Sequence, residues 1–165
     1  MKKGFFCAGV IAVLVSACLA FWPVLIVKVS LPKAKDRLIA VVRVADKDMI
    51  TLRYRHSAEL TWVEGRFTVG AGAELLAKET RFESSGSGLP NNAHERTTRE
   101  KGWIVVDEGR RPVGSIRFYI APINETRLFI AERSVQLNRL KSGTLIEISA
   151  ARISRLRLFL MTMGI

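Results

Sequence analysis

Cysteine and histidine are both scarce in this chain of 165 residues, with two of each. The cysteines, Cys7 and Cys18, lie within the first 18 residues, so the remainder carries neither a disulfide nor a thiolate metal site. Imidazole donors are limited to His56 and His94, and no local ligand spacing points to a metal. No motif implies a cofactor. Up to the tail, the body also lacks a capped amphipathic helix pattern of ten or more residues, and the chain has no internal repeat. Negative charge is the minority sign: 15 acidic against 26 basic residues, a formal net charge of +11. The length excludes a multi-domain machine or a polytopic carrier, and an apolar fraction of 48% excludes a mostly disordered chain.

The longest uncharged run is Gly4 to Val27, preceded by Lys2 and Lys3 and closed by Lys28. As a helix, its 24 residues would reach about 36 Å, against a hydrocarbon core of about 30 Å. Trp22 sits near the distal end, where an amphipathic ring prefers headgroups, and Pro23 does little harm there. Three readings compete. A retained signal-anchor helix over residues 1–28 fits the length best. A cleaved signal peptide would be cut before Phe21, after Cys18 and Ala20, but the apolar run continues for seven more residues. The third is lipidation at Cys18, since Val15-Ser16-Ala17-Cys18 resembles the bacterial lipobox. Apolar Leu19 to Trp22 then stands where a polar tether is usual.

From residue 29 onward the period is two. Ile50, Leu52, Tyr54, His56, Ala58 and Leu60 alternate with polar residues as one long half-buried strand would. Leu38 to Val44 precedes it across an Asp46-Lys47-Asp48 turn. Trp62 to Val69, Glu74 to Ser84, Trp103 to Val106, Ser115 to Ile120, Thr126 to Ala131 and Thr144 to Ile153 read as further strands, with a short one in Ser134 to Leu140. The expectation is all-β: an antiparallel sandwich or barrel of about eight or more short strands over residues 29–153, preceded by one transmembrane helix. About 135 residues suffice for one ordinary core. The basic and apolar tail, residues 154–165, reads as a frayed end or as a short helix with Leu156, Phe159, Leu160 and Met163 on one side. Such a helix is too short to span a bilayer, but it could lie on a membrane surface or dock on a partner.

Two constellations invite a chemical reading. His56-Ser57-x-Glu59 sets an imidazole, a hydroxyl and a carboxylate close together. Strand alternation, however, would turn His56 away from Ser57 and Glu59, and would leave Glu59 to pair with Arg53, Arg55 or a neighbouring strand. Gly86-x-Gly88 followed by Leu89-Pro90 lacks the helix start and the Lys-Ser/Thr pair of a phosphate loop. The basic residues are scattered rather than clustered with aromatics, so nucleic acid is not the expected partner. Anionic headgroups or an acidic partner fit the charge better.

Tyr54-x-His56-Ser57-Ala58-Glu59 and Glu79-Thr80-Arg81-Phe82-x-Ser84-x-Gly86-x-Gly88-Leu89-Pro90, at their mutual spacing, resemble the two motifs of a bacterial family called domain of unknown function 1850. The resemblance covers roughly residues 25 to 150. Trp62 departs from the family's usual proline, and Gly65 stands where an acidic residue is common, with Glu64 beside it. Members are small, have an N-terminal apolar segment, and are often encoded beside TRAP transporters of the TAXI type. The resemblance therefore implies a place and a neighbour: a module tethered to the cytoplasmic membrane on its periplasmic side, with the bilayer and a TRAP transporter's subunits or solute-binding protein as partners. The lack of a convincing catalytic set favours a non-enzymatic accessory role. His56, Ser57, Glu59, Arg81, Gly86, Gly88 and Pro90 would shape its binding rim. The rival expectation is an envelope hydrolase or small-ligand-binding domain with its site near His56 and the Gly86–Gly88 loop. Sidedness is in tension with charge. Lys28, Lys33, Lys35, Arg37 and Arg43 outnumber Lys2 and Lys3, which by the positive-inside count places the body in the cytoplasm.

Overall fold

Period-two alternation dominates the chain, and nearly every regular element of the computed structural model is a strand. The structure describes residues 16–84, 97–137 and 139–164. Among them are ten strands: β1 (Pro23–Leu31), β2 (Arg37–Arg43), β3 (Ile50–Arg55), β4 (Trp62–Val69), β5 (Leu75–Phe82), β6 (Thr97–Glu100), β7 (Trp103–Tyr119), β8 (Arg127–Ile130), β9 (Arg133–Val135) and β10 (Leu145–Ser154). One α-helix, α1 (Arg155–Met163), follows β10.

Every pairing is antiparallel. The path β2-β1-β10-β7-β5-β4-β3-β8-β9 curls into a nearly closed barrel, with β6 attached to β7. The expectation of an antiparallel β-structure is met, and the barrel is the form it takes.

The long strand β7 joins two segments that the sequence separates, Trp103–Val106 and Ser115–Ile120. Gly109, Arg110 and Gly114 take left-handed backbone angles (φ 60°, 61° and 64°). The register against β5 shifts between Leu75 and Leu76 and between Ala77 and Glu79. Such bulges bend a strand without ending it. β7 can thus pair with β5 along its first part and with β10 along its second.

The N-terminal region differs most from expectation. Residues 16–21 are helical, but Pro23 opens a strand, so the apolar run does not continue as one helix to Val27. No helix among the described residues is long and apolar enough to cross a membrane. Residues 1–15 lie outside the described part. β1 sits between β2 and β10, and its Val24, Leu25, Ile26 and Val27 are all buried. Four consecutive buried residues require a strand covered on both faces. Leu25, Val27 and Val29 face the main core with Ile50, Leu75, Leu128, Ile146 and Ile148. Helix α1 approaches β10 and β2, and its Thr162 lines a cleft with Val42 of β2 and Val135 of β9. The boundary expected at residue 28 falls inside β1. The expectation of a frayed tail is corrected too: Ser154 caps α1, its Oγ accepting from the Arg157 N–H at 3.2 Å.

Two outcomes follow. Ile26 is fully buried, so Ile26→Ala should cost about 2–5 kcal/mol in urea unfolding; a membrane-helix role would leave the unfolding midpoint unmoved. The second concerns Glu147 on β10. Burial alone would raise its carboxyl, but hydrogen bonds from Arg117 and Ser115 and the charges of Arg117 and Lys28 outweigh this and hold it below its usual value. A lowered folded-state value stabilises above the ordinary carboxylate range, and the gain disappears as pH falls through the lowered value. Glu147→Gln should therefore lower the Tm at neutral pH, with the difference closing in acid.

Candidate functional site

The outward side chains of β3, β4, β5 and β8 form cross-strand rows fixed by register. Arg55 faces Trp62. Arg53 faces Glu64, which faces Arg81. Thr51 faces Arg66, which faces Glu79. On the other side of β3, Arg53 lies opposite Arg127 of β8. Like charges directly opposed across a ladder are destabilising. Here both stack on one indole. The guanidinium carbon of Arg53 is 4.4 Å from the Trp62 ring centroid, that of Arg127 5.1 Å and that of Arg55 5.9 Å. Trp103 of β7 approaches Arg53 at 5.7 Å.

Negative charge around this cluster is thin. Arg55 Nη1 donates to Glu125 Oε1 at 2.9 Å, and Arg127 Nη2 lies 3.8 Å from the other oxygen of the same carboxylate. Arg53 has no carboxylate in ion-pair range among the described residues, and its Nε is buried without a hydrogen-bond partner. Trp62 is held by its backbone: its N–H donates to Glu83 Oε2 at 3.0 Å and its C=O accepts from the Glu83 N–H at 3.2 Å.

The neighbouring rows, by contrast, are neutralised internally. Arg66 Nε donates to Glu64 Oε1 at 2.6 Å, and Arg66 Nη1 and Arg81 Nε both donate to Glu79 Oε1 at 2.9 Å. Arg81 is therefore committed to a structural network. Thr80 Oγ1 donates to Glu108 at 2.8 Å, and Phe82 packs with Val63, Val106, Tyr54 and Ile104 in a second, smaller core. Burial in that core raises the Tyr54 phenol above its usual value.

The His56 motif is not strand. β3 ends at Arg55, and the chain reverses through a tight turn. The His56 N–H donates to the Thr61 C=O, and the Leu60 N–H donates to the His56 C=O, both at 2.8 Å. The alternation through Ala58 and Leu60 is thus a coincidence of composition, and both side chains are exposed. His56 is half-buried, with Nδ1 buried and lacking a hydrogen-bond partner, while Ser57 is exposed. No hydrogen bond joins His56 to Ser57 among the described residues, and Glu59, half-buried, closes the motif on the same turn. Gly86, Gly88 and Pro90 lie outside the described residues. Glu64 and Gly65 do not substitute for each other. Glu64 belongs to the outer network, whereas a Cβ on Gly65 would meet the Phe67 ring at 2.9 Å.

Three clefts flank the barrel. One of about 540 Å³ is lined by Glu125, Arg127, Phe129, Gln136 and Leu140 among others. A second of about 500 Å³ includes Glu83, Arg99, Lys101 and Trp103. The third, about 410 Å³, separates Ile39–Val42 from Arg133–Gln136. His56 lines none of them, whereas the first two adjoin the arginine and tryptophan cluster through Arg127 and Trp103. No group of three His, Cys, Asp or Glu residues is placed to hold a metal among the described residues.

A family model matches residues 50–137, which hold both motifs, the turn and the arginine and tryptophan cluster. The chain belongs to the family described as Domain of unknown function (DUF1850). No curated protein and no solved structure matches it.

The motif residues thus fall into two groups, a turn at His56–Glu59 and a strand network at Glu79–Phe82. Sequence reading passed over Trp62, Trp103 and Arg127. The available signal was weak: Arg53 and Arg55 share the polar face of a strand two residues apart, and Trp62 opens the next strand. Because Glu79 bridges two part-buried guanidiniums, Glu79→Gln should cost about 1–3 kcal/mol in urea unfolding. Arg111→Ala, at an exposed pair, should stay within about 0.5 kcal/mol.

Proposed function

We propose that this chain is a non-catalytic docking module, tethered to the outer side of the cytoplasmic membrane, which receives an acidic partner on the Trp62 face. The observation that carries the reading is the set of Arg53, Arg55 and Arg127 around one indole, with Glu125 the one carboxylate in ion-pair range of them among the described residues. Opposed arginines cost stability, and a surface that breaks a local rule without internal compensation is where a binding role is expected. Guanidinium forks held against an aromatic face suit carboxylates at an interface. Subunits or the solute-binding protein of a TRAP-type transporter are the proposed partners, on the family's gene neighbourhood. The hydrolase reading has less support, because among the described residues His56 and Ser57 form no bonded pair and neither lines any of the three clefts above.

The tether fits a retained anchor or lipidation at Cys18, whereas simple cleavage before Phe21 would release the barrel. A cut before Cys18 or Phe21 removes nothing from β1, which starts at Pro23. The apolar residues Val24–Val27, which argued against cleavage, are accounted for by the barrel.

Co-purification in mild detergent, with tagged full-length chain and transporter present together, tests the proposal. Arg53→Gln with Arg127→Gln should abolish capture while leaving the Tm equal or higher, since a like-charge contact is relieved. A chain that emerges alone, or a double variant that still captures the transporter, would overturn it.

A further inference from the structure

The first and last strands end together. Pro23 of β1 pairs with Ser154 of β10, and the Arg155 N–H donates to the Trp22 C=O at 3.1 Å. The helical residues 16–21 and helix α1 therefore leave the sheet at the same place. Most of the exposed large apolar side chains gather there: Leu19, Phe21 and Trp22 before β1, and Leu156, Phe159, Leu160 and Met163 on α1. The last four recur at i, i+3, i+4 and i+7, one face of the helix. Phe159, Leu160 and Met163 are 58%, 60% and 72% exposed, whereas Leu158 and Met161 are half-buried. The helix thus uses one side on the barrel wall and leaves a fuller apolar side outward.

The charges beside this patch are of one sign. Arg155 and Arg157 are exposed in the first turn of α1, with no acidic residue in that turn and no carboxylate in ion-pair range among the described residues. Cations at a helix N-terminus oppose the helix dipole. An isolated helix would gain nothing from this arrangement, but an anionic surface would satisfy both the arginines and the dipole. Apolar residues flanked by arginines, with a tryptophan at the border, are the chemistry of a headgroup interface. The uncharged run Gly4–Phe21 enters the sheet at this same point, after the two lysines.

We propose that the outer side of α1, together with Phe21 and Trp22, is a second membrane contact that lies against anionic headgroups and seats the barrel on the bilayer. This deepens the tethered reading but rests on the folded patch, so the two can fail separately.

The test uses full-length Phe159→Trp in a Trp22→Phe background, in vesicles of phosphatidylcholine with a minor share of phosphatidylglycerol. A thermal melt first confirms an unchanged fold. The emission added at position 159 should shift to the blue and be lost when the acyl chains are brominated. Introducing Arg155→Glu and Arg157→Glu together should restore much of it. Emission that stays water-like overturns the contact. A blue shift insensitive to bromine also overturns it, pointing to a second copy or another protein on α1. An alkaline carbonate wash reads the tether independently: extraction with bromine quenching intact would remove the tether and keep the contact, and retention without quenching would do the reverse.

Discussion

The barrel depends on a strand that the chain's hydropathy disguises. β1 pairs with β10 along its length and with β2 on its other side, so the first strand is held by the last as well as by its neighbour in sequence. Its inward residues Leu25, Val27 and Val29 supply the core. Burying each such aliphatic side chain contributes roughly 1.5–3 kcal/mol. If β1 is lost, β2 loses its partner strand and β10 is left as a bare edge, which proteins avoid exposing. Pairing across nearly the whole chain also means that the closing contacts are the most distant in sequence, so they form against the greatest loop-closure entropy.

A different constraint shapes the opposite wall. Once Ile50, Leu52 and Tyr54 face inward, alternation puts Arg53 and Arg55 outward without further choice. The neighbouring strands then supply Trp62, Glu64, Arg66, Glu79 and Arg81 in register. Glu64, Arg66, Glu79 and Arg81 neutralise one another. Arg53 and Arg127 stand opposed at the end of the Glu64 row, and the stacking on Trp62 offsets only part of their repulsion, since an exposed cation–π contact is worth about 0.5–1 kcal/mol. Three arginines, Arg53, Arg55 and Arg127, thus gather around one indole on this sheet.

How much of this was legible in the residues depended on whether period alone could decide. Strands β3 and β4 announce themselves by alternation, and the all-β class follows from many such runs between turns. Pro23 to Val27 carries no alternation. A continuous apolar run fits a buried strand or a helix equally well, and length favoured the helix because the strand was joined to the apolar residues before it. The opposite error occurred at His56 to Leu60, where alternation continued by chance through a tight turn set by backbone hydrogen bonds. Gly109 and Pro112 suggested a break in what is one bent strand. The Trp62 cluster was hidden for another reason: Arg127 and Trp103 are remote in sequence, and only the register of β8 on β3 and the place of β7 beside β5 bring them near. The two motifs adjoin this region, and of their described residues Tyr54, Glu79, Arg81 and Phe82 build the frame rather than the face.

The sheet order relates the two surfaces. Counting along β2-β1-β10-β7-β5-β4-β3-β8-β9, α1 approaches the first and third strands, which flank β1, and the Trp62 face is on the sixth and seventh, β4 and β3. In a nearly closed barrel those strands stand across the core from one another, about one sheet-packing distance of side chains apart. A bilayer against α1 would leave the Trp62 arginines facing away from the lipid, free of competition from its phosphates. The same positive charge could not serve a protein partner if it shared a wall with the apolar patch, since headgroups would occupy it first. On the proposed reading, segregation onto opposite walls would let one small domain hold a membrane with one face and present a cationic surface with the other.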